Sequence, residues 1–171
     1  GTLLLVDHPD AGGGGGEAVE TELIKGQVIG GGLIEGALVC ADLNANGGCD
    51  GDEAQARSDA AGGYQLAVAP YAAAPLVAEI IAGRARDSDQ GGSTVDASYR
   101  MVSPSSRYST SISPYTTLVH LSGEPDFPLA EDEVRNTLGL PPKFEIKPAA
   151  AAAAGSLTQA VAKSVIIALK S

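Results

Sequence analysis

Tryptophan is absent from the chain, and aromatics make up only 4% of its 171 residues. A core built without large rings must be packed from Val, Leu, Ile and Ala. The same shortage weighs against sugar recognition, which uses flat aromatic platforms, so a glycan partner is a secondary expectation. Basic residues are also scarce. Eleven Lys and Arg stand against 21 Asp and Glu, for a formal net charge of −10. Nucleic acid is excluded as a partner, because its phosphates demand a basic stripe. The modest group Arg84, Arg86, Arg100 and Arg107 is scattered among Asp and Ser and reads as a solvated face.

No apolar run approaches the roughly 20 residues that span a bilayer, so no transmembrane segment is expected. Histidine occurs twice, at His8 and His120, and neither sits in a recognisable nucleophile–base pattern. Catalysis is therefore not expected. His120 is explained by the dipole at a helix C-terminus. Two thiols, with both histidines far away, are too few for a zinc site. Cys40 and Cys49 suit a disulfide instead. The ring is short, so its entropic gain is at most about 3 kcal/mol. Oxidising conditions follow, and with them export to the cell surface or beyond. The chain starts at Gly1 without a leader pattern, so a signal peptide is expected to have been removed already.

Against this background one stretch carries most of the chemical information. Asp42 to Glu53 reads DLNANGGCDGDE. Asp42, Asn44, Asn46, Gly47, Asp50 and Glu53 fall at positions 1, 3, 5, 6, 9 and 12 of the calcium-loop template D-x-[DN]-x-[DN]-G-x₅-E. Calcium takes six to eight oxygens, from alternate side chains, one backbone carbonyl and a final carboxylate. The expected ligands are Asp42, Asn44, Asn46, the Gly48 carbonyl, Asp50 (directly or through water) and Glu53. The alternative is a metal-free turn, since Asp, Asn and Gly favour turns in any case.

The flanks decide what kind of loop this is. An EF-hand loop lies between amphipathic helices. Here GALVCA before it is a buried strand, and the segment after it passes through a turn at Ser58, Asp59 and Gly63 into the alternating strand Tyr64 to Val68. The loop is thus expected on a β scaffold, with Asp59 able to add an oxygen.

Other strands are expected at Thr21 to Ile29, Pro75 to Ile81, Ser98 to Val102 and Arg107 to Ile112, with a glycine turn at Gly30 to Gly32. Regular short strands separated by turns argue a β-sandwich over residues 21–112. Arg84 to Ser98 reads as an exposed loop, in which Asp87 and Asp89 are a candidate second cation site.

Residues 1–20 form a separate N-terminal unit. Thr2, Leu3, Leu4, Leu5 and Val6 make a short apolar strand, followed by the five glycines Gly12 to Gly16, which read as a linker. A strand on a linker can fold back on its own sheet, or it can add to the sheet of a neighbouring copy.

Residues 113–171 change character. Ser113-Pro114 starts a helix reaching Leu121. Pro128 to Leu138 is a second helix, ended by Gly139. Ser156 and Gln159 form a capping box for a third, with Leu157, Val161, Val165, Ala168 and Leu169 on one face. The run Ala149 to Ala154 carries no functional argument.

Three stretches together, GALVCADLNANGGCDGDE, RSDAAGGYQL and SISPYTTLVH, resemble a bacterial surface-protein module over about Lys25 to Val119. The first two are similar to the B-type domain of serine-aspartate repeat adhesins and to prealbumin-like or carboxypeptidase-regulatory-like sandwiches. The third is similar to a segment that follows such modules in secreted or lipid-anchored proteins of Gram-negative bacteria. The resemblance implies a mainly β, Ig- or prealbumin-like β-sandwich with calcium for rigidity, followed by a small helical segment. The cysteine pair, the helical tail, the lack of tandem repeats and the lack of an LPxTG tail depart from a wall-anchored Gram-positive adhesin. Two functions follow. One is a non-catalytic subunit of an extracellular filament, sheath or matrix, self-associating through strand exchange and stiffened by calcium. The other is an adhesin or accessory binding module of a larger surface protein.

Overall fold

A computed structural model describes residues 2–4, 21–51, 53–69, 73–147 and 155–170, with side chains from residue 21 onward. The strands are β1 (Thr2–Leu4), β2 (Thr21–Val28), β3 (Ile34–Glu35), β4 (Leu38–Ala41), β5 (Gln55–Arg57), β6 (Gly63–Val68), β7 (Leu76–Ile80), β8 (Arg86–Asp87), β9 (Tyr99–Ser103) and β10 (Ser111–Ile112). Helices α1 (Pro114–Ser122), α2 (Phe127–Leu138) and α3 (Leu157–Lys170) follow. Strand and helix are nearly equal, at about 29% and 27%. The fold is therefore mixed and β-rich, with its helices at the C-terminal end, rather than mainly β.

One four-stranded sheet runs β5-β4-β7-β9, antiparallel throughout. The other is built on β2. Strand β6 pairs antiparallel with β2 from Glu22 to Gln27. Over that same stretch β2 also pairs with β1, through Thr21 to Leu23, and with β10, through Gln27 and Val28. A strand has only two edges. Strands β1 and β10 therefore share the edge opposite β6, β1 on its first half and β10 on its second. A third, two-stranded sheet pairs β3 with β8.

A single core cluster unites both large sheets. Ile24, Val28 and Leu66 from one meet Val39, Leu76, Ile80 and Met101 from the other. Strand β6 shows the cause, its burial alternating along GYQLAV as a half-buried strand requires. Strand β2 carries a glycine at position 26 because a Cβ there would lie 2.0 Å from the Thr110 carbonyl oxygen and 2.6 Å from the Tyr64 hydroxyl. Tyr64, only 4% exposed, donates that hydroxyl to Thr110 O at 2.5 Å. Burial pushes its phenol well above the ordinary tyrosine range.

The helices have a second cluster of their own, with Tyr115, Val119, Ala130, Val134, Ile146 and Ala162. Helix α1 starts at a full capping box. Ser113 Oγ accepts from Thr116 N, Thr116 Oγ1 accepts from Ser113 N, and Pro114 occupies the first turn. Helix α2 is capped by Asp126 and closed by Gly139 in the left-handed region. Helix α3 begins with one bond of the expected capping box, Gln159 N donating to Ser156 Oγ at 3.1 Å, while Gln159 Oε1 accepts from Gly155 N at 2.8 Å. Its buried face differs from the expected one. Gln159, Ala162, Val165 and Ile166 are buried, whereas Leu157 is 56% exposed. Two cores draw on the helix at once: Ala162 enters the helical cluster and Ile166 enters the β cluster.

Two further expectations change. Only Ser111–Ile112 of the stretch Arg107 to Ile112 is strand. Serine side chains satisfy the local backbone in place of a ladder. Ser105 Oγ accepts from Arg107 N at 3.1 Å, and Ser103 Oγ donates to Ser109 O at 2.7 Å. The stretch Arg84 to Ser98 is not simply an exposed loop, because it carries β8 and a short 3-10 turn at Ser88–Gln90, with Asp87 only 3% exposed.

Candidate functional site

The loop Asp42 to Glu53 joins β4 to β5, antiparallel neighbours in the β5-β4-β7-β9 sheet. Its flanks are strands: β4 before it, as the sequence implies, and directly after it the short β5, where the sequence implies only a turn leading to Tyr64–Val68. Cys40, fully buried in β4, forms a disulfide with Cys49 inside the loop, with 5.6 Å between their Cα atoms. The loop backbone is also tied to β7 and its approach. Asp42 N donates to Pro75 O at 2.8 Å, and Cys49 N donates to Glu79 Oε2 at 3.0 Å.

The two end carboxylates are buried, Asp42 at 2% and Glu53 at 8% exposure. Asp42 accepts from Asn46 N (3.1 Å) and Gly47 N (2.8 Å). Glu53 accepts from Leu43 N (3.0 Å) with one oxygen and from Asp50 N (2.8 Å) with the other. These bonds curl the chain around its own acidic side chains. Gly47, with φ of 81°, and Ala45, with φ of 56°, supply the left-handed residues that the curl needs. Asn44 and Asn46 both turn toward Asp50, their Nδ2 atoms donating to its Oδ2 at 2.6 and 2.7 Å. Asn44 Oδ1 accepts from Asn46 N, and Asn46 Oδ1 accepts from Gly48 N.

The donor set fits a hard cation in its chemistry. Asp42, Asn44, Asn46, Asp50 and Glu53 all offer oxygen, and residues 42–53 contain no Lys or Arg to neutralise the acids. The orientation of two ligands is set for the metal-free loop. Asn44 and Asn46 present nitrogen to Asp50, so a cation requires both amides to turn and present Oδ1. Among the described residues, no group of three or more His, Cys, Asp or Glu side chains gathers tightly enough to hold a metal. A cation here would depend on the asparagines and the Gly48 carbonyl as well as on the acids.

Asp59 is not part of this set. Its Oδ1 accepts from Ala61 N (2.9 Å) and Gly63 N (2.8 Å) and closes its own turn. The pair Asp87 and Asp89 is likewise a fixture of the fold. Asp87 accepts from Gly31 N at 3.0 Å and from Asp89 N at 2.9 Å. Asp89 pairs with Lys163 Nζ at 2.9 Å and accepts from Gln159 Nε2 at 2.9 Å. The charge opposite Asp89 is thus an ammonium from α3. The glycine turn is tight for the same reason, since a Cβ on Gly32 would lie 2.3 Å from Ser88 Oγ.

Thr2–Leu4 is β1, with Thr2 opposite Leu23 and Leu4 opposite Thr21. Leu5, Val6, His8 and the glycine linker lie outside the described residues. His120 is exposed in the last turn of α1. Glu79 and Lys163 are not prominent in the sequence, and Gln159 is so only as a helix cap. Glu79 has a signal, being the one acid in the apolar strand PLVAEII. The contacts of Gln159 and Lys163 with Asp89 have none, because Asp89 lies some 70 residues away.

Among the described residues no helix is long and apolar enough to cross a membrane. Comparison with family models, curated proteins and solved structures finds no match to this chain, so no prealbumin-like family is identified by them.

Proposed function

We propose that the chain is a non-catalytic structural module of an extracellular surface or matrix, a β-sandwich whose β4–β5 loop binds calcium and whose copies join partly by exchange of β1. The observation that carries the proposal is the shared edge of β2. Strand β10 covers one half and leaves a slot over Thr21 to Leu23, which β1 fills from across residues 5–20. The same strand from a second copy would meet the same slot in the same antiparallel register. Exchange of identical contacts costs little in bonding. A linker of this length holds the chain's own strand at roughly millimolar effective concentration, so exchange wins only where copies are crowded, as on a surface. The sandwich reading is supported by the one core shared between the two large sheets. The disulfide supports an exported protein.

Three of the tyrosines, Tyr64, Tyr99 and Tyr115, are buried. They offer no platform to a sugar, which favours the structural role over a glycan-binding adhesin module. In concentrated solution the intact chain is expected to form polymers visible by negative-stain imaging. Removal of residues 1–16 is expected to abolish them while leaving the circular dichroism spectrum and cooperative unfolding in place. Polymers formed equally well by the truncated chain would overturn strand exchange. A monomer at every concentration would favour the adhesin or accessory module.

A further inference from the structure

Cys49 occupies a particular place in the loop. It stands between Gly48 and Asp50, two of the expected calcium ligands, in the middle of the ligand set rather than at its base. Both of its ties lead to the sheet: its sulfur to Cys40 on β4, and its N–H to Glu79 on β7. Glu79 in turn lies 3.6 Å from Arg100 Nε of β9. The carboxylates of Asp42 and Glu53 bond within the loop, Asp42 N holds to Pro75 O, and Gln55 Nε2 of β5 donates to the Asp50 carbonyl; these bonds would survive loss of the disulfide.

We infer that the Cys40–Cys49 disulfide sets the affinity of the loop for calcium, so that the loop takes up the cation only once these cysteines are oxidised. This rests on the calcium reading above. In the oxidised chain the backbone at Cys49, between Gly48 and Asp50, is tied to the sheet before any ion arrives. In the reduced chain the ion must impose that order itself, which lowers its affinity. Ring closure alone bounds the effect at about a hundredfold. Asp42 and Glu53 keep part of the loop curled, so the expected loss is about tenfold. By linkage the cation must oppose reduction by the same factor. A tenfold effect moves the two-electron potential by about 30 mV.

Reduction by dithiothreitol is balanced as thiol–disulfide exchange. Cys40 is fully buried and Cys49 is partly exposed. A reagent thiolate therefore attacks the Cys49 sulfur and expels the Cys40 thiolate. The second reagent thiol then releases Cys49 and closes a cyclic disulfide. Two electrons pass to the protein, and the two reagent protons end on Cys40 and Cys49. Glu79 is the second tie, a positioning residue that accepts the Cys49 N–H.

The test is calcium titration by calorimetry of the oxidised chain, of the dithiothreitol-reduced chain, and of oxidised Glu79→Ala and Glu79→Gln. Circular dichroism is recorded on each. The expected result is binding to the oxidised chain and about tenfold weaker binding to the reduced one. Glu79→Ala is expected to weaken binding severalfold, whereas Glu79→Gln, which keeps an oxygen acceptor for Cys49 N–H, stays within about twofold. Equal affinity in the oxidised and reduced chains overturns the inference and leaves the calcium reading standing. No binding to the oxidised chain overturns the calcium reading itself. If reduction unfolds the chain, the Glu79 pair decides: equal affinities for Glu79→Ala and the unaltered chain overturn tethering from the sheet, and a selective loss in Glu79→Ala upholds it.

Discussion

Gly26→Ala is expected to cost about 3 kcal/mol of folding stability, read as a lower denaturant midpoint with an unchanged slope. The added methyl would sit 2.0 Å from Thr110 O and 2.8 Å from its carbonyl carbon, both backbone atoms that cannot rotate away. Relief requires the segment before β10 to move off β2. That movement also breaks the bond from the Tyr64 hydroxyl to Thr110 O. Packing and a buried polar contact are thus lost together. Gly51→Ala is the control, since nothing lies within 4 Å of a Cβ there and its φ is ordinary. It should change stability by less than about 0.5 kcal/mol. Equal behaviour of the two variants would mean that the segment before β10 does not crowd β2 as described.

Glu53→Ala should destabilise the loop. It removes the acceptor of Asp50 N and one of the two acceptors of Leu43 N, which keeps Ala41 O at 3.0 Å. Leaving the partly buried Asp50 N–H without a partner costs roughly 1–2 kcal/mol, or about 2–8 °C in Tm for a chain of this size. That loss should appear with chelator present. With calcium present the loss should be larger, because the contribution of the cation vanishes as well. A variant that melts like the unaltered chain under both conditions would remove Glu53 from the account.

Features encoded locally were legible in the sequence. The calcium-loop spacing, the strand flanks of that loop, the Ser113-Pro114 helix start and the Ser156–Gln159 cap each depend on residues a few positions apart. The strand before the loop and the Ser113-Pro114 helix start lie where the sequence puts them, and the Ser156–Gln159 cap does so by one of its two bonds. The readings that changed depend on distant partners. Asp87 and Asp89 look like free carboxylates until Lys163 and Gln159 arrive from α3. The buried face of α3 is displaced because the helix must serve two cores, and no periodicity within its own sequence carries that demand. The edge shared by β1 and β10 is likewise a matter of register across the chain. Even the loop had a hidden part, for Glu79 is an acid on a strand that reads as apolar.

The central claim is that the Asp42–Glu53 loop binds calcium and thereby stiffens the fold. The most direct measurement is the Tm of the oxidised chain with chelator, with excess calcium and with excess magnesium. A ligand at about a hundred times its Kd contributes about 2.7 kcal/mol, so calcium should raise Tm by about 5–10 °C. Magnesium, which demands a tight octahedral shell, should do far less. The same Tm in all three conditions would contradict the claim and leave the loop as a metal-free turn.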